Sequence, residues 1–320
     1  MNNQNLTGYP SIDKPWMKYY SDEAINAPLP KKSMYDYLYE CNKKYLGNTA
    51  LNYFGKKTTY KKLFENIDKV AVALQANGVK KGDIVSVCSL TMPESVYLLY
   101  AINKVGAVSN WLGLTSPVQD LHEQLASTES KLVFVVEMAY DLIVEATKGT
   151  KIEKIVSIPI EYSMPATIKA AASLKQKHPK LNDISVKWKI FLSDSEGEFK
   201  PVEFDSSDMA VIEYTGGTTG VPKGVMISND AGNAYAHNYL VSNNILFVEK
   251  NDTFLNILPP FIALGIFAAV HMPLCFDVEV ILFPDSNPKK MAENILKFKP
   301  NHFCGGPLHL NNIITSLIMY

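Results

Sequence analysis

The stretch whose residue types best suit chemistry is YTGGTTGVPKG, residues 214–224. Its glycines let the backbone approach a ligand closely and point several N–H groups at one place. Thr215, Thr218 and Thr219 add hydroxyl donors, and Lys223 adds a cation near the far end of the stretch. Together these groups suit the phosphates of a nucleotide. The alternative is a hairpin connection with no ligand, which would need neither three threonines nor a Pro-Lys pair.

The stretch differs from a Walker A loop, in which G-x-x-x-x-G-K-[ST] opens a helix. Pro222 precedes Lys223, Gly224 follows it, and the alternating run KGVMIS comes next. Residues 208–215, DMAVIEYT, are typical of a short buried strand. We therefore predict that the loop joins two strands and does not open a helix.

Strand and helix patterns alternate in the residues around this loop. Residues 59–78, 92–107, 116–128 and 287–299 have helical patterns, and residues 83–90, 131–137, 154–160, 252–259 and 278–284 are apolar runs typical of strands. This alternation predicts an α/β protein with a doubly wound sheet. We divide the chain into an extended, proline-punctuated arm (1–30), a first α/β lobe (31–200) and a second α/β lobe with the phosphate loop (201–320).

Composition limits the class of protein. The chain has 320 residues, of which 47% are hydrophobic, and a formal net charge of -1. It can therefore bury a large core, and it exceeds the size at which single cores usually stop growing. The near-neutral charge argues against a protein that binds nucleic acid or anionic membranes. Four widely separated cysteines form no CxxC pair and are typical of buried, reduced thiols in a cytoplasmic protein.

One uncharged segment, residues 253–276, is long enough to span a bilayer. It is interrupted by three prolines and two polar residues: Pro259, Pro260, Pro273, Asn256 and His271. We therefore predict a strand, a turn and a buried helix here, and no transmembrane segment. The polar N-terminus lacks a basic-then-apolar signal pattern, so we expect a cytoplasmic location.

The eleven-residue stretch resembles the phosphate-binding signature of the adenylate-forming superfamily, which includes acyl-CoA synthetases, aryl-CoA ligases, luciferases and adenylation domains of peptide synthetases. The chain matches the pattern Y-T-S-G-T-T-G-x-P-K-G at every fixed position but one. Gly216 stands where most members have serine, a variant associated with fatty-acyl-CoA ligases. The stretches LNILPPFIALGI and KFKPNHFCGGPLHLNNII are also similar to family segments. The resemblance covers roughly residues 30–320 and implies the N-terminal portion of that fold, with mixed sheets in stacked lobes.

The resemblance implies ATP-dependent activation of a carboxylic acid, here an apolar, fatty one. ATP and the acid would give an acyl-adenylate and pyrophosphate, and a thiol, usually coenzyme A, would then take the acyl group. Preorganised N–H groups, a lysine and Mg²⁺ are what would stabilise the charge in the transition state. The residues implied to bind the phosphates of ATP are Thr215, Gly216, Gly217, Thr218, Thr219, Gly220 and Lys223. We assign no catalytic residue and no metal ligand, because the family's catalytic lysine belongs to a C-terminal domain.

The segment LPPFIALG departs from the family pattern L-P-L-F-H, in which the histidine lies beside the acyl carboxylate. Pro260 replaces an apolar residue, and Ile262 replaces the histidine. An apolar side chain there suits an apolar acid and removes a hydrogen-bond donor. The alternative is that Phe261 and Ile262 only fill the core. The acyl-pocket candidates are Phe261, Ile262, Gly265, Gly305 and Gly306.

Family members have further functional segments after the position that corresponds to Tyr320, including a hinge and the C-terminal domain. We therefore expect this chain to be an incomplete front part of a ligase, unable to complete both steps alone. Two alternatives stay open: an aryl-CoA ligase or amino-acid-adenylating domain, and a catalytically inactive binding fragment. The pocket segment lacks the aspartate that an amino-acid-activating domain would use. Whether the protein is a homodimer also stays open.

Overall fold

The computed structural model describes residues 7–175, 178–193, 197–215, 222–242, 249–284 and 287–318. The strands in these ranges are β1 (Thr49–Tyr53), β2 (Lys56–Thr59), β3 (Ile84–Cys88), β4 (Val108–Trp111), β5 (Leu132–Val136), β6 (Lys154–Ile158), β7 (Ser185–Lys187), β8 (Met209–Thr215), β9 (Lys223–Ser228), β10 (Thr253–Asn256), β11 (Glu279–Leu282) and β12 (His302–Cys304).

The α-helices in the same ranges are α1 (Pro10–Asp13), α2 (Asp22–Asn26), α3 (Met34–Asn42), α4 (Tyr60–Ala76), α5 (Pro93–Lys104), α6 (Val118–Thr128), α7 (Tyr140–Ala146), α8 (Ala166–Lys175), α9 (Trp188–Ser193), α10 (Asn229–Val241), α11 (Met272–Cys275), α12 (Pro288–Phe298) and α13 (Pro307–Ile318). A π-helix, Leu264–His271, leads directly into α11.

The larger sheet has seven strands in the order β7-β6-β5-β3-β4-β8-β9. Its neighbours are parallel except for the edge pair β8–β9, which is an antiparallel hairpin. The interior strand β5 is buried at every position, as expected for a parallel strand that helices cover on both faces. The predicted doubly wound α/β class is confirmed, and so is the prediction that the glycine-rich loop joins two strands.

The smaller sheet has five strands in the order β12-β10-β11-β1-β2. The β1–β2 hairpin turns at Phe54 and Gly55, which both have positive φ, as a tight two-residue turn requires. The other neighbours are parallel. Each sheet therefore draws strands from both sides of residue 200: β1 and β2 join the second half of the chain, and β8 and β9 join the first.

The helices form where the sequence pattern predicts them. In α4 the Thr59 side chain accepts a hydrogen bond from the Lys62 N–H, and Gly78 follows the helix with a φ of 82°. The α4 residues predicted from helical spacing, Leu63, Ile67 and Leu74, are fully buried. The apolar residues repeated at helical spacing are therefore enough to predict this helix and its buried face.

The N-terminal arm is not extended throughout. Residues 7–30 contain α1, a 3₁₀ turn at Met17–Tyr19, and α2, whose N-terminus is capped by the Ser21 hydroxyl. Trp16 and Met17 line a groove with Tyr239 of α10, so the aromatic part of the arm packs on the body of the protein.

The uncharged segment 253–276 folds as β10, a turn, the π-helix and α11, and both helices are buried except at Leu264, which is 52% exposed. Within the described ranges, no helix is long and apolar enough to cross a membrane. All four cysteines are free thiols, as predicted, with Cys88 and Cys275 buried and Cys41 and Cys304 partly exposed.

Candidate functional site

A cavity of about 850 Å³ lies where the carboxyl ends of parallel strands from both sheets meet. The residues that line it just after strands of the larger sheet are Leu90, Thr115, Met138 and Ile160. Those just after strands of the smaller sheet are Phe54, Pro259 and Pro284. Helix α12 contributes Lys290 and Lys297. Ligands of open α/β sheets bind outside the carboxyl ends of the strands, so this cavity is the candidate site.

The phosphate-loop hairpin ends at the same sheet edge. Strand β8 is parallel to β4, so the carboxyl end of β8 lies beside the residues that follow β4. Thr215 pairs with Lys223 across the hairpin, and both are exposed. The predicted phosphate-binding residues 216–220 lie outside the described residues. The structure thus brings the two flanks of the loop together at the edge where the cavity opens.

Phe261 lines the cavity, whereas Ile262 faces solvent. A β-carbon at Gly113, in the segment after β4, would lie 3.8 Å from Phe261 Cδ2 and 2.5 Å from Ser116 Oγ. Glycine there leaves room for the Ser116 hydroxyl, and Phe261 lies at ordinary contact distance. Ile262 is 42% exposed, which argues against the alternative that it fills the core. Sequence reasoning missed Gly113, because only the three-dimensional contact reveals its role.

Gly265 is a packing residue rather than a wall of the large cavity. A β-carbon there would lie 2.1 Å from the carbonyl oxygen of Pro259. The Gly265 N–H donates to the Ile262 carbonyl at 2.6 Å. The π-helix therefore starts in direct contact with segment 257–260, and only glycine fits at this contact.

Two polar side chains hold segment 257–260 against the rest of the protein. The Thr91 hydroxyl, from the β3–α5 connection, donates to the Leu258 carbonyl at 2.8 Å. The Asn256 side-chain oxygen accepts from the Leu258 N–H at 2.9 Å. Neither residue is among the candidates predicted from the sequence. The sequence marks Thr91 only by its position just before Pro93, which begins α5.

Gly305 and Gly306 lie at the same edge, one and two residues after β12. Strand β12 pairs with β10 through Asn256 and Cys304, so both glycines follow a strand next to the cavity-lining segment. A β-carbon at Gly305 would lie 2.9 Å from Phe303 Cε2, and the Gly306 N–H donates to His309 Nδ1 at 3.1 Å. Their contacts are therefore local to the start of α13.

Two buried carboxyl groups lie near this edge, and burial raises the pKa of both. Glu213 on β8 is 4% exposed, and neither of its carboxyl oxygens has a hydrogen-bond partner within the described ranges; its pKa rises to about 9. Glu94, in the first turn of α5, accepts a hydrogen bond from the Ser163 hydroxyl, and burial raises its pKa to about 7. The sequence signal for Glu213 is an acid inside an otherwise apolar strand.

No metal site is formed by protein groups in the described part of the chain, where no three His, Cys, Asp or Glu side chains stand close enough to hold an ion. Mg²⁺ in nucleotide sites is often bound by one or two carboxylates together with substrate phosphates. We therefore assign no described residue to Mg²⁺.

Comparison with known proteins identifies the family. A family model described as AMP-binding enzyme matches residues 38–319. The chain belongs to the AMP-binding enzyme family. Among curated members, it is 27% identical over 306 residues to the long-chain-fatty-acid–CoA ligase of Bacillus subtilis (strain 168). That match covers 92% of this chain and 54% of the relative, so the chain spans about half the relative's length.

Solved structures of AMP-binding enzymes share the fold. An anthranilate CoA ligase in complex with anthranoyl-AMP matches with a TM-score of 0.76 and 20% identity, over 90% of this chain and 52% of that one. A long-chain-fatty-acid-CoA ligase from Archaeoglobus fulgidus matches with a TM-score of 0.75 and 23% identity, over 92% and 55% of the two chains. The resemblance inferred from the glycine-rich stretch is therefore confirmed, and the two-sheet architecture is that of an N-terminal portion of these enzymes.

Proposed function

We propose that this chain is the ATP- and acid-binding part of an acid–thiol ligase that activates a fatty acid and passes it to coenzyme A. One observation carries the proposal: the flanks of the phosphate-loop signature, Thr215 and Lys223, lie at the sheet edge where residues that follow neighbouring strands line a large, mostly apolar cavity. A nucleotide at the loop and an acid in the cavity would then be neighbours.

The exposed ends of the hairpin suit the phosphates of ATP. The Thr215 hydroxyl can donate to a phosphate oxygen, and the Lys223 ammonium can offset phosphate charge, because both side chains are exposed at paired positions. A carboxylate oxygen of the acid would attack the α-phosphorus, and the bond from that phosphorus to pyrophosphate would break. Mg²⁺, when bound, would neutralise charge on the phosphates. Transfer of the acyl group to the thiol of coenzyme A would follow.

The walls of the cavity favour an apolar acid. Phe54, Leu90 and Ile160 line it. Burial of a hydrocarbon chain against such walls contributes about 0.8 kcal/mol per methylene. The similar Bacillus ligase is named for long-chain fatty acids, which supports the same choice. The anthranilate ligase among the structural neighbours is the observation that favours an aromatic acid instead.

ATP binding tests the nucleotide half of the proposal. We expect titration calorimetry to detect ATP binding to the 320-residue protein, weakened about tenfold in Lys223→Ala because a charge-assisted phosphate contact is lost. Lys131→Ala is the matched control, since Lys131 is an exposed lysine paired with Glu153. Absence of ATP binding, or equal weakening by both substitutions, would contradict the assignment of the loop.

Thermal-shift measurements with saturated acids of graded length, against benzoate and anthranilate, test the acid half. We expect the melting temperature to rise with chain length and to change little with the aromatic acids. A larger shift with the aromatic acids would favour the aryl-ligase alternative. Nucleotide binding without any response to acids would favour the inactive binding fragment.

A further inference from the structure

Two cysteine thiols lie close together away from the residues that line the cavity. Cys41 lies in α3 and Cys275 ends α11, and the two thiols interact closely enough for each to shift the pKa of the other. The two helices are held together beside this contact, because Asn42 Nδ2 donates to the Leu274 carbonyl at 2.9 Å. Helix packing therefore fixes the backbone positions of the two cysteines relative to each other.

Polar groups surround both sulfur atoms. The Tyr37 hydroxyl lies 3.1 Å from His237 Nδ1, and its interaction with Cys41 lowers the pKa of that thiol. The Cys275 sulfur lies 3.9 Å from His271 Nδ1. His271 is fully buried, and its two ring nitrogens are 3.1 Å from the Tyr100 hydroxyl and the Asn233 side-chain oxygen. The thiols thus lie in a buried polar network, none of whose members lines the cavity.

The two thiols differ in access and in acidity. Cys41 is partly exposed, whereas Cys275 is 3% exposed. Hydrogen bonds from Cys275 and Tyr37 lower the pKa of Cys41 against the effects of burial and of the nearby Glu40 carboxylate. Burial raises the pKa of Cys275 well above its ordinary value. A reachable thiol with the more stable thiolate, next to a protonated partner, is the arrangement of an attacking and a resolving cysteine.

We propose that Cys41 and Cys275 form a redox-active dithiol, which hydrogen peroxide or an organic hydroperoxide converts to an intramolecular disulfide. The Cys41 thiolate attacks one peroxide oxygen, the O–O bond breaks, and the leaving oxygen takes a proton and departs as water or an alcohol. Cys41 is now a sulfenic acid. The Cys275 sulfur then bonds to the Cys41 sulfur, the S–O bond breaks, and the hydroxyl leaves as water with the Cys275 proton. The two sulfurs lose two electrons, which reduce the peroxide.

The disulfide would join α3 to the end of α11, which directly follows the π-helix Leu264–His271. The remaining cysteines provide an internal comparison. Cys88 on β3 is buried, and burial raises its pKa to about 12; burial also raises the pKa of Cys304. Neither has a thiol partner among the described residues, so neither is expected to form this crosslink. The proposal is independent of ligase activity.

Peptide mapping after peroxide treatment tests the dithiol directly. The 320-residue protein is treated with hydrogen peroxide, alkylated, digested without reduction and analysed by mass spectrometry. We expect two of the four thiols to become unreactive, one peptide pair joined through Cys41 and Cys275, and full recovery of both thiols with dithiothreitol. Cys41→Ser should abolish the crosslink, and Cys88→Ser and Cys304→Ser should retain it.

Three results would overturn the proposal: Cys41 oxidised to a sulfinic acid while Cys275 stays a free thiol, a crosslink to another cysteine, or a crosslink between two copies of the chain. Unchanged alkylation of all four thiols under peroxide would overturn it as well. The mapping of the unsubstituted protein decides the outcome even if a substituted protein fails to fold. Circular dichroism of each variant shows whether a lost crosslink reflects lost structure.

Discussion

At the scale of single residues, the site depends on groups whose roles only the fold reveals. Glu213 is an acid in an apolar strand, and Gly265 is one glycine in an uncharged segment. In the structure, Glu213 is a buried carboxyl without a hydrogen-bond partner among the described residues, and Gly265 touches the backbone at Pro259. The two positions affect stability in different ways. Ionising the buried Glu213 carboxyl costs free energy, whereas position 265 leaves no room for a side chain.

Replacing Glu213 should change how stability depends on pH. Its folded pKa of about 9 exceeds its ordinary value of 4.5, so the stabilisation by the protonated form is complete below about pH 4.5 and is lost as the pH rises through 9. We expect the free energy of unfolding to fall by at most about 1.4 kcal/mol per pH unit across this window from this group. The free energy of unfolding of Glu213→Gln should fall less steeply with rising pH, as measured by urea unfolding at several pH values. Glu153→Gln, an exposed acid, is the control; parallel curves for Glu213→Gln and the unsubstituted protein would contradict the buried carboxyl.

Replacing Gly265 by alanine should destabilise the protein by about 2–3 kcal/mol, because the new methyl group would overlap the Pro259 carbonyl and force the backbone to shift. Gly47→Ala is the matched control, since a β-carbon at Gly47 meets nothing within 4 Å. Chemical unfolding of both variants measures the difference. Equal stability of the two variants would show that the π-helix does not pack closely on segment 257–260.

At the scale of elements, the sequence predicts the long or strongly apolar pieces and not how they pair. Strand β5 is a run of five apolar residues, and α4 repeats apolar residues at helical spacing, so both stand out. Strand β2 is KKTT, which has no apolar pattern, and β12 has three residues; neither could be recognised. The hairpin around the phosphate loop was predictable because proline and glycine flank Lys223. The cavity could not be predicted, because its position depends on how strands from distant parts of the chain are ordered in the sheets.

The hydrogen bond that joins the β3–α5 connection to the segment after β10 gives a prediction at this scale. Thr91, between β3 and α5, donates to the buried Leu258 carbonyl after β10. Thr91→Val keeps the side-chain shape but leaves that carbonyl without its donor, so we expect a loss of about 1–2 kcal/mol in the free energy of unfolding. Thr315→Val is the control, because Thr315 is exposed in α13 and donates within its own helix. If both substitutions cost the same, the Thr91 hydrogen bond does not anchor the cavity-lining segment.

At the scale of the whole molecule, the two sheets interleave the halves of the chain. Strand β1 pairs with β11, and β4 pairs with β8. One continuous core includes buried residues from before and after residue 200, from Leu51 to Val280. The boundary at residue 200 therefore separates segments of sequence whose strands need each other, and the phosphate hairpin is held in place by a strand from the first segment.

This interleaving predicts that neither segment folds alone. A 1–200 fragment would leave β1 without β11 and β4 without β8, and it would expose the apolar surface that these strands bury. We expect fragments 1–200 and 201–320, expressed separately, to lack a cooperative thermal transition by circular dichroism and to exchange their amide hydrogens within minutes. In the 320-residue protein, the Leu51 and Val280 amides should open with similar free energies, because these paired residues belong to one continuous core. A cooperative transition in the isolated 1–200 fragment would instead establish it as an independently folding lobe, and it would mean that β1 and β4 do not need their partners from the second segment.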